Sequence, residues 1–388
     1  MSAAQTINHL VGGRGTLVAW ATGLGHRYAM PKGTLRSPYE SFGPAAFWRT
    51  GVVGHEPDAI PDLYKRKFPI TRSMGVATAG SCFAQHIARN LRSRDFSIID
   101  AEPPPDGLDE KTASEFGYGI YSARYANIYT ARQLLQVARE AFGDFTPADA
   151  VWEKDGRYYD AMRPSVEPDG LSSPAEVADH RQYHLGKVRE VVRSADVFVF
   201  TLGLTETWLH SPTGTVYPTA PGTIAGQFDP AVHAFHNFTF RDIYGDLCAF
   251  MDLVERSNPG VRFLLTVSPV PLTATASGEH VLAATVYSKS VLRAVAGQLF
   301  HERTNVEYFP SYEIITSSLS KGAYFESNLR SVRAEGVKAA MDTFFAQHDA
   351  HERGIGTSEE KPASIVADRT DDEENDLVCE EELLESFA

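Results

Sequence analysis

Residues 74–91, MGVATAGSCFAQHIARNL, carry the pattern that decides the fold. The short apolar run at 75–79 predicts a β-strand, and the segment after it predicts an amphipathic helix because apolar residues recur at every fourth position. Gly80 and Ser81 form the turn between these two elements. Ser81 is therefore either the N-cap of the helix or a nucleophile with helix N–H groups nearby to stabilise an oxyanion. The capping-box partner is absent, since the third residue after Ser81 is Ala84.

The alternation of strand and helix patterns continues along the chain. Near-continuous apolar or β-branched runs predict further strands at 96–100, 196–204, 261–270 and 306–309. Helical patterns occur between them at 131–142, 174–195, 240–257 and 291–303. This order is typical of a doubly wound α/β fold with a mostly parallel sheet, in which ligands bind at the carboxyl ends of the strands. Ser81 is expected at that edge of the sheet.

The sequence predicts one main domain with an addition at each end. Residues 1–70 are rich in Gly, Pro and aromatic residues and predict an N-terminal wrap onto the core, with Phe47 and Trp48 buried. The α/β domain is expected over 71–350. Residues 351–388 are acidic and lack periodicity, which predicts disorder. The final LVCEEELLESFA could still form a short helix that docks on the domain or on a partner.

Two long excursions leave the predicted sheet, at 143–173 and at 205–238. The first is expected to be an inserted hairpin or loop. Long ordered loops within a compact domain are often functional, so both excursions are expected to shape the substrate cleft.

Composition argues against several classes of function. The chain has 36 Lys and Arg against 50 Asp and Glu, and its basic residues are scattered, so no nucleic acid partner is expected. Cys82, Cys248 and Cys379 are too far apart for a disulfide framework or a cysteine-rich zinc site. His180 and His184 have the spacing of two metal ligands, but without a third ligand they predict a structural pair. Neither a metal nor another cofactor is expected.

The sequence shows no secretory leader pattern and no run of about eighteen apolar residues. A cytoplasmic protein without a membrane span is therefore expected. Most of the net charge of −14 lies in the C-terminal tail, which could recruit a basic protein partner.

Residues 80–84, GSCFA, are the five residues after which the GSCFA family is named, and the stretch around them resembles that family. The similarity extends over about 37–347, through PYESFGPAAFW, SARYANIYTARQLLQ, FTLGLTETW, TVSPVPLTAT, YSKSVLRAVA and YFPSYEI. The family is similar to the SGNH hydrolases, whose serine nucleophile follows the first strand of a flavodoxin-like sheet. The resemblance therefore implies a sheet of that type and ester chemistry through an acyl-Ser81 intermediate.

The resemblance also implies where the oxyanion donors lie. Ser81 takes the position of the nucleophile, and the backbone N–H groups of Ser81 or Cys82 take the position of one donor. The second SGNH block corresponds to SARYANIYT and the third to GLTE, with a weaker hydroxyl where the third block has asparagine. The implied oxyanion residues are Cys82, Ala126, Asn127, Gly203 and Thr205, with the carboxylate of Glu206 nearby.

The usual catalytic base is missing. SGNH enzymes carry Asp-x-x-His before the last helix, because a serine hydroxyl is a poor nucleophile until an imidazole takes its proton. In this chain Asn328 and Ser331 stand at those two positions, with Arg330 between them. The sequence leaves three alternatives.

The first alternative is a histidine from elsewhere, for which His280 is the best candidate because it follows the fourth predicted strand. The second is Lys289 in YSKS, if burial lowers its pKa as in Ser-Lys enzymes. The third is a protein that has lost hydrolysis and binds an acidic group through Arg330 and a helix N-terminus.

The resemblance and the motifs together predict an O-acyl (acetyl) esterase or an acyltransferase that acts on a glycan or a related polyol. Hydrolysis and transfer share the acyl-serine intermediate, so the sequence does not give the direction. The alternative is a catalytically inactive binding or scaffold protein that keeps the cleft.

Overall fold

The structure is a computed structural model of the chain, and it describes residues 37–349 and 380–387. The strands in these residues are β1 (Val76–Gly80), β2 (Val151–Lys154), β3 (Arg157–Asp160), β4 (Val197–Leu202), β5 (Glu206–His210), β6 (Thr215–Tyr217), β7 (His233–Asn237), β8 (Arg262–Val267) and β9 (Val306–Tyr308). The α-helices are α1 (Phe83–Ser93), α2 (Glu110–Glu115), α3 (Ala131–Ala141), α4 (Pro174–Ser194), α5 (Phe240–Ser257), α6 (Val281–Glu302), α7 (Ser311–Thr316) and α8 (Ala334–His348).

A parallel sheet in the order β1-β4-β8-β9 forms the centre of the fold. In register, Val76 of β1 pairs with Val197 of β4, and Val197 pairs in turn with Arg262 of β8. Every residue of β1 and β4 is buried, because helices cover both faces of the sheet. The predicted doubly wound α/β fold is thereby confirmed.

The two faces of the sheet carry separate apolar cores. Helices α3, α4, α5 and α6 pack on one face, with Leu134, Val191, Phe250 and Leu299 in one cluster. Helices α1, α7 and α8 contribute to the cluster on the other face. The apolar stripe of α1 that the sequence predicts, from Phe83 to Leu91, lies in this second cluster.

The predicted strand at 96–100 is wrong in extent. Only Ile98 forms a parallel bridge, to Val76 on β1. Three consecutive prolines follow at 103–105, and proline has no N–H for a ladder, so the segment leaves the sheet edge early. With this bridge outside β1, the spatial order is that of a flavodoxin-like sheet, 2-1-3-4-5, with its second strand reduced.

Both excursions contain antiparallel strands. The first, at 143–173, holds the hairpin β2–β3, as expected. The second, at 205–238, holds a three-stranded sheet in the order β6-β5-β7, which the sequence pattern did not predict. The predicted helix at 291–303 begins ten residues earlier, at Val281.

The predicted N-terminal wrap lies partly outside the described residues, since 1–36 are not among them. Residues 37–41 belong to a separate unit and contain one 3-10 turn, Pro38–Ser41. In the main unit, Tyr64, Phe68 and Ile70 are buried in the second cluster.

The predicted burial of Phe47 and Trp48 is wrong. Their side chains are 40% and 67% exposed. Residues 44–53 form short turns with hydrogen bonds inside the segment. One of these bonds runs from the Thr50 hydroxyl to the Pro44 carbonyl at 2.8 Å.

The C-terminal tail is described only over its last part. Residues 350–379 lie outside the described residues, so the expectation of disorder there stays a prediction. The short helix that the sequence allows at the end is present as a 3-10 helix, Glu380–Phe387.

One buried histidine ties the end of α8 to the N-terminal part of the core. His348 Nδ1 accepts the Ile70 N–H at 3.1 Å, so the neutral ring carries its proton on Nε2, which lies 3.0 Å from the Tyr64 hydroxyl. Burial, with Arg66 as a smaller cause, lowers the pKa of His348 to about 3.

This histidine gives a prediction for stability against pH. The unfolded ring has a pKa of about 6.5. The contribution of the neutral ring to the free energy of unfolding is therefore complete above pH 6.5, and roughly 4 kcal/mol of it is lost as the pH falls towards 3. Urea denaturation of wild type and His348→Gln at several pH values measures it. We expect the free energy of unfolding of the variant to fall less steeply below pH 6.5, and equal slopes would contradict this assignment.

Candidate active site

Ser81 lies at the carboxyl end of β1, and the position before it can be occupied only by glycine. Gly80 has a φ of 146°, and a Cβ there would lie 2.7 Å from the Thr201 carbonyl oxygen of the neighbouring strand. The N-cap of α1 is Cys82, whose side chain makes no capping bond, so Ser81 is not the cap. Its Oγ is buried and has no hydrogen-bond partner among residues 37–349 and 380–387. A buried hydroxyl without a partner is costly, and a catalytic role is one of the reasons for which such a group is retained.

The loop before α3 is fixed against this turn by hydrogen bonds. The Ile128 N–H donates to the Gly80 carbonyl at 2.9 Å. The Tyr121 hydroxyl lies 3.0 Å from the Ser81 carbonyl and 2.6 Å from Asn127 Oδ1. The side-chain oxygen of Asn127 is thereby held, and its NH₂ group points to the partners described below. The structure thus brings the predicted second block to the nucleophile.

Ala126 adopts a conformation that few side chains tolerate. Its φ is 58°, in the left-handed region, and it is buried. Its N–H has no protein acceptor in the part of the chain that the structure describes. This is the state expected of the backbone donor that the second block predicts.

Gly203 follows β4 and packs directly on Ser81. A Cβ at Gly203 would lie 2.9 Å from Ser81 Cβ, 3.4 Å from Ser81 Oγ and 3.1 Å from the Tyr129 carbonyl oxygen. The ends of β1 and β4 therefore meet at a point where one of the two residues must lack a side chain.

The remaining residues of the third block contact α6 and the connection before it. The Thr205 N–H donates to Ser288 Oγ at 3.1 Å, and Thr205 Oγ1 is buried without a partner among the described residues. The Glu206 carboxylate accepts from the Thr275 hydroxyl at 2.8 Å, and burial raises its pKa. Glu206 is thus engaged with the connection between β8 and α6.

The two predicted bases lie at different depths. His280 is exposed and caps α6, where its Nδ1 accepts the Leu282 N–H at 3.1 Å. It makes no hydrogen bond with Ser81 in the described structure. Lys289, further along α6, is only 2% exposed, and its Nζ donates to the Gly203 carbonyl at 2.7 Å. The residue next to Ser81 is thus bonded to a lysine.

The environment of Lys289 favours loss of its proton. Burial lowers the pKa of Lys289 to about 8, Glu381 and Cys82 act in the opposite direction, and Arg330 adds to the lowering. Lys289 is buried although it lies on a helix, because α6 packs against the carboxyl ends of the strands.

Residues 328–331, which stand in place of Asp-x-x-His, form a turn that places the Arg330 side chain in the interior. Asn328 is exposed, and its Oδ1 accepts the N–H groups of Arg330 and Ser331 at 2.9 and 3.0 Å. Such an Asx turn orients the backbone and leaves no free carboxamide for catalysis. Arg330 is buried at 7% exposure.

The predicted pair His180 and His184 is divided between two partners. His184 is fully buried with Nδ1 2.8 Å from Glu102, and His180 Nδ1 lies 3.5 Å from Glu167. Within the described chain no group of three metal-ligating side chains is found.

The whole site falls within one family model. The model of the GSCFA family matches residues 75–344, well over half of the chain. The chain belongs to the GSCFA family. The match begins at β1 and ends within α8, so it includes Ser81, Asn127, Gly203 and Lys289. A search of curated proteins found no match. Among the described helices none is long and apolar enough to cross a membrane.

The C-terminal 3-10 helix lies beyond the GSCFA match and contacts the site. The Glu380 carboxylate accepts hydrogen bonds from Asn127 Nδ2, from the Tyr129 hydroxyl at 2.7 Å and from the Ser165 hydroxyl at 2.6 Å. Glu381 and Glu382 pair with Arg330 at 3.4 and 3.3 Å. The sequence LVCEEELLESFA allows this helix but does not indicate where it packs on the domain.

Gly203→Ala tests the close approach between the two strand ends. The new Cβ would overlap Ser81 Cβ, so β4 or Ser81 must shift, and we expect destabilisation of about 1–3 kcal/mol. Urea denaturation measures it. The control is Gly245→Ala in α5, where no atom lies within 4 Å of the new Cβ and a gain of about 0.5–1 kcal/mol is expected. Equal stability of Gly203→Ala and wild type would contradict the packing described.

Proposed function

We propose that the chain forms or breaks esters through an acyl-Ser81 intermediate. The observation that supports this most is the buried Ser81 hydroxyl, without a partner in the described residues, at a strand-to-helix turn beside the held Asn127 amide. Membership of the GSCFA family and the resemblance of that family to SGNH hydrolases support the same chemistry.

Lys289 is the base that the geometry favours. At pH 7 a lysine with a pKa of about 8 is neutral in roughly one molecule in ten, against about one in three thousand at the ordinary pKa of 10.5. Its Nζ is bonded to Gly203, which packs on Ser81, so a turn of the side chain carries it towards the serine hydroxyl. His280 is exposed and occupied as a helix cap, and stays the less favoured candidate.

The proposed reaction conserves every proton within the site. The neutral Lys289 amine takes the proton of the Ser81 hydroxyl while the serine oxygen bonds to the carbonyl carbon of an ester. The tetrahedral intermediate then releases the alcohol, which receives the proton from the lysine ammonium, and acyl-Ser81 remains. Water or a second hydroxyl attacks the acyl-serine to complete hydrolysis or transfer.

The oxyanion of the intermediate needs donors that are already in place. The Ala126 N–H, held by the left-handed backbone, and the Cys82 N–H at the start of α1 are the proposed backbone donors. Asn127 Nδ2 and the Thr205 hydroxyl are the proposed side-chain donors.

The proposed substrate is an O-acylated glycan, polyol or related small molecule, and the proposed location is the cytoplasm. Both rest on the resemblance and on the sequence pattern. A role of the acidic tail in recruiting a basic protein involves residues 351–379, which lie outside the described structure.

The second candidate is a binding protein without catalysis. It is favoured by one observation, the seating of Glu381 and Glu382 on the buried Arg330, in the segment where the histidine base of SGNH enzymes would stand. In that case Ser81 would line a ligand cleft and never become acylated.

A fluorophosphonate probe tests the serine. We expect wild type to be labelled covalently and Ser81→Ala to be unlabelled, with the modified residue identified by mass spectrometry. The control is Ser93→Ala, at the exposed end of α1, which should label as wild type does. Folded wild-type protein that takes up no probe would favour the binding protein instead.

Paired variants test the base. We expect Lys289→Met to lower the labelling rate by about a hundredfold or more, because the proton acceptor is lost, and His280→Gln to leave it within about twofold. The wild-type rate should rise with pH through about 8, as Lys289 loses its proton. Circular dichroism checks that both variants fold. The reverse pattern would return the role to His280.

A further inference from the structure

The Glu380 carboxylate is bound by hydrogen-bond donors in the way that a protein binds the carboxylate of a ligand. It is 3% exposed and accepts three hydrogen bonds, from the Asn127 amide and the Tyr129 hydroxyl on the loop before α3 and from the Ser165 hydroxyl in the first excursion. Two of the donors, Asn127 and Tyr129, are themselves 1% and 3% exposed. A buried carboxylate is stable only with such bonds, so the three donors form a built site for this group.

A second group of contacts lies beside the first. Arg330 forms ion pairs with Glu381 and Glu382, and the negative charge of Glu381 also raises the pKa of Lys289. The C-terminal helix therefore places one carboxylate among neutral donors and the next among buried cations, next to the proposed base.

The helix contacts residues around Ser81 and makes no hydrogen bond with the serine hydroxyl. Ser81 is 3% exposed, and its Oγ makes no hydrogen bond with Glu380, Glu381 or any other described residue. A substrate cannot reach a hydroxyl buried to this degree unless a neighbouring element moves. The donors belong to the part that matches the GSCFA family, whereas Glu380 comes from outside it. The donors can therefore serve another carboxylate.

We propose that Asn127, Tyr129 and Ser165 form a carboxylate-binding subsite for an acidic small-molecule substrate, and that the C-terminal helix occupies this subsite as an internal competitor. The proposal rests on the proposed function in one respect, that the ligand is the substrate of the Ser81 chemistry. The subsite selects molecules that carry a carboxylate close to the acylated hydroxyl. Glu380 must leave before such a molecule binds.

The first test measures docking of the helix in the full chain. Glu380→Ala removes the carboxylate, and its control Glu385→Ala removes an exposed acid of the same helix. Hydrogen–deuterium exchange should show uptake at residues 380–387 at least about tenfold faster in Glu380→Ala than in wild type, and unchanged in Glu385→Ala. Equal uptake in all three proteins would overturn the proposal.

The second test measures the ligand class with two sugars that differ in one carboxylate. D-glucuronate should raise the melting temperature of full-length Glu380→Ala, whereas D-glucose at the same concentration should not. Wild type should respond less, because its own helix competes. Adding Ser165→Ala to Glu380→Ala should reduce the response to glucuronate. Equal responses to the two sugars would overturn the proposal.

A synthetic peptide of residues 377–388 separates the remaining possibility. Binding of this peptide to Glu380→Ala, with no response to glucuronate, would mean that the cleft recognises acidic peptides and would overturn a small-molecule subsite. All of these measurements can be repeated in Ser81→Ala, since none requires acylation. Wild-type protein that takes up no probe, together with glucuronate binding to Glu380→Ala, would refute the proposed ester chemistry alone. Labelling without glucuronate binding would refute the subsite alone.

Discussion

The close approach of β1 to β4 at their carboxyl ends is the constraint on which the site depends. Gly80 lies against the backbone of Thr201, and Gly203 lies against the side chain of Ser81, so neither position has room for a Cβ. Backbone hydrogen bonding sets neighbouring strands about 4.8 Å apart, and side chains at the strand ends must fit into the space beside them. Here two glycines leave that space open, and Ser81 is buried between β4 and the loop that carries Tyr129.

The polar groups at this edge of the sheet are positioned by hydrogen bonds to one another. Tyr121 connects the Ser81 carbonyl to Asn127, and Gln133 of α3 donates to the Asn127 carbonyl at 3.0 Å. The left-handed Ala126 costs about 1–2 kcal/mol, which these bonds must offset. These bonds hold the loop that carries Ala126 and Asn127 in place, as the proposed oxyanion site requires.

The sequence predicts the parts of this site that depend on local pattern. The strand at 75–79, the turn at Ser81 and the doubly wound, mostly parallel sheet follow from apolar runs and their alternation with helical patterns. The burial of Lys289 does not, because it depends on how α6 packs over the strand ends. Nor does the contact between Glu380 and Asn127, which joins residues about 250 positions apart through side chains alone. The strand at 96–100 was overpredicted because periodicity carries no information on where a chain leaves a sheet.

Charge links the occupancy of the cleft to the reactivity of the proposed base. With the C-terminal helix in place, Glu381 stabilises the ammonium form of Lys289, while burial and Arg330 oppose it. Departure of the helix removes the charge of Glu381 but also opens Lys289 to solvent, which relieves the burial that lowers its pKa most. A substrate carboxylate would replace Glu380 among its three neutral donors, and the place of Glu381 would become available to the acyl group. The bound substrate would thus restore the burial of Lys289 without the charge of Glu381, and both effects favour the neutral amine that can take the proton of Ser81.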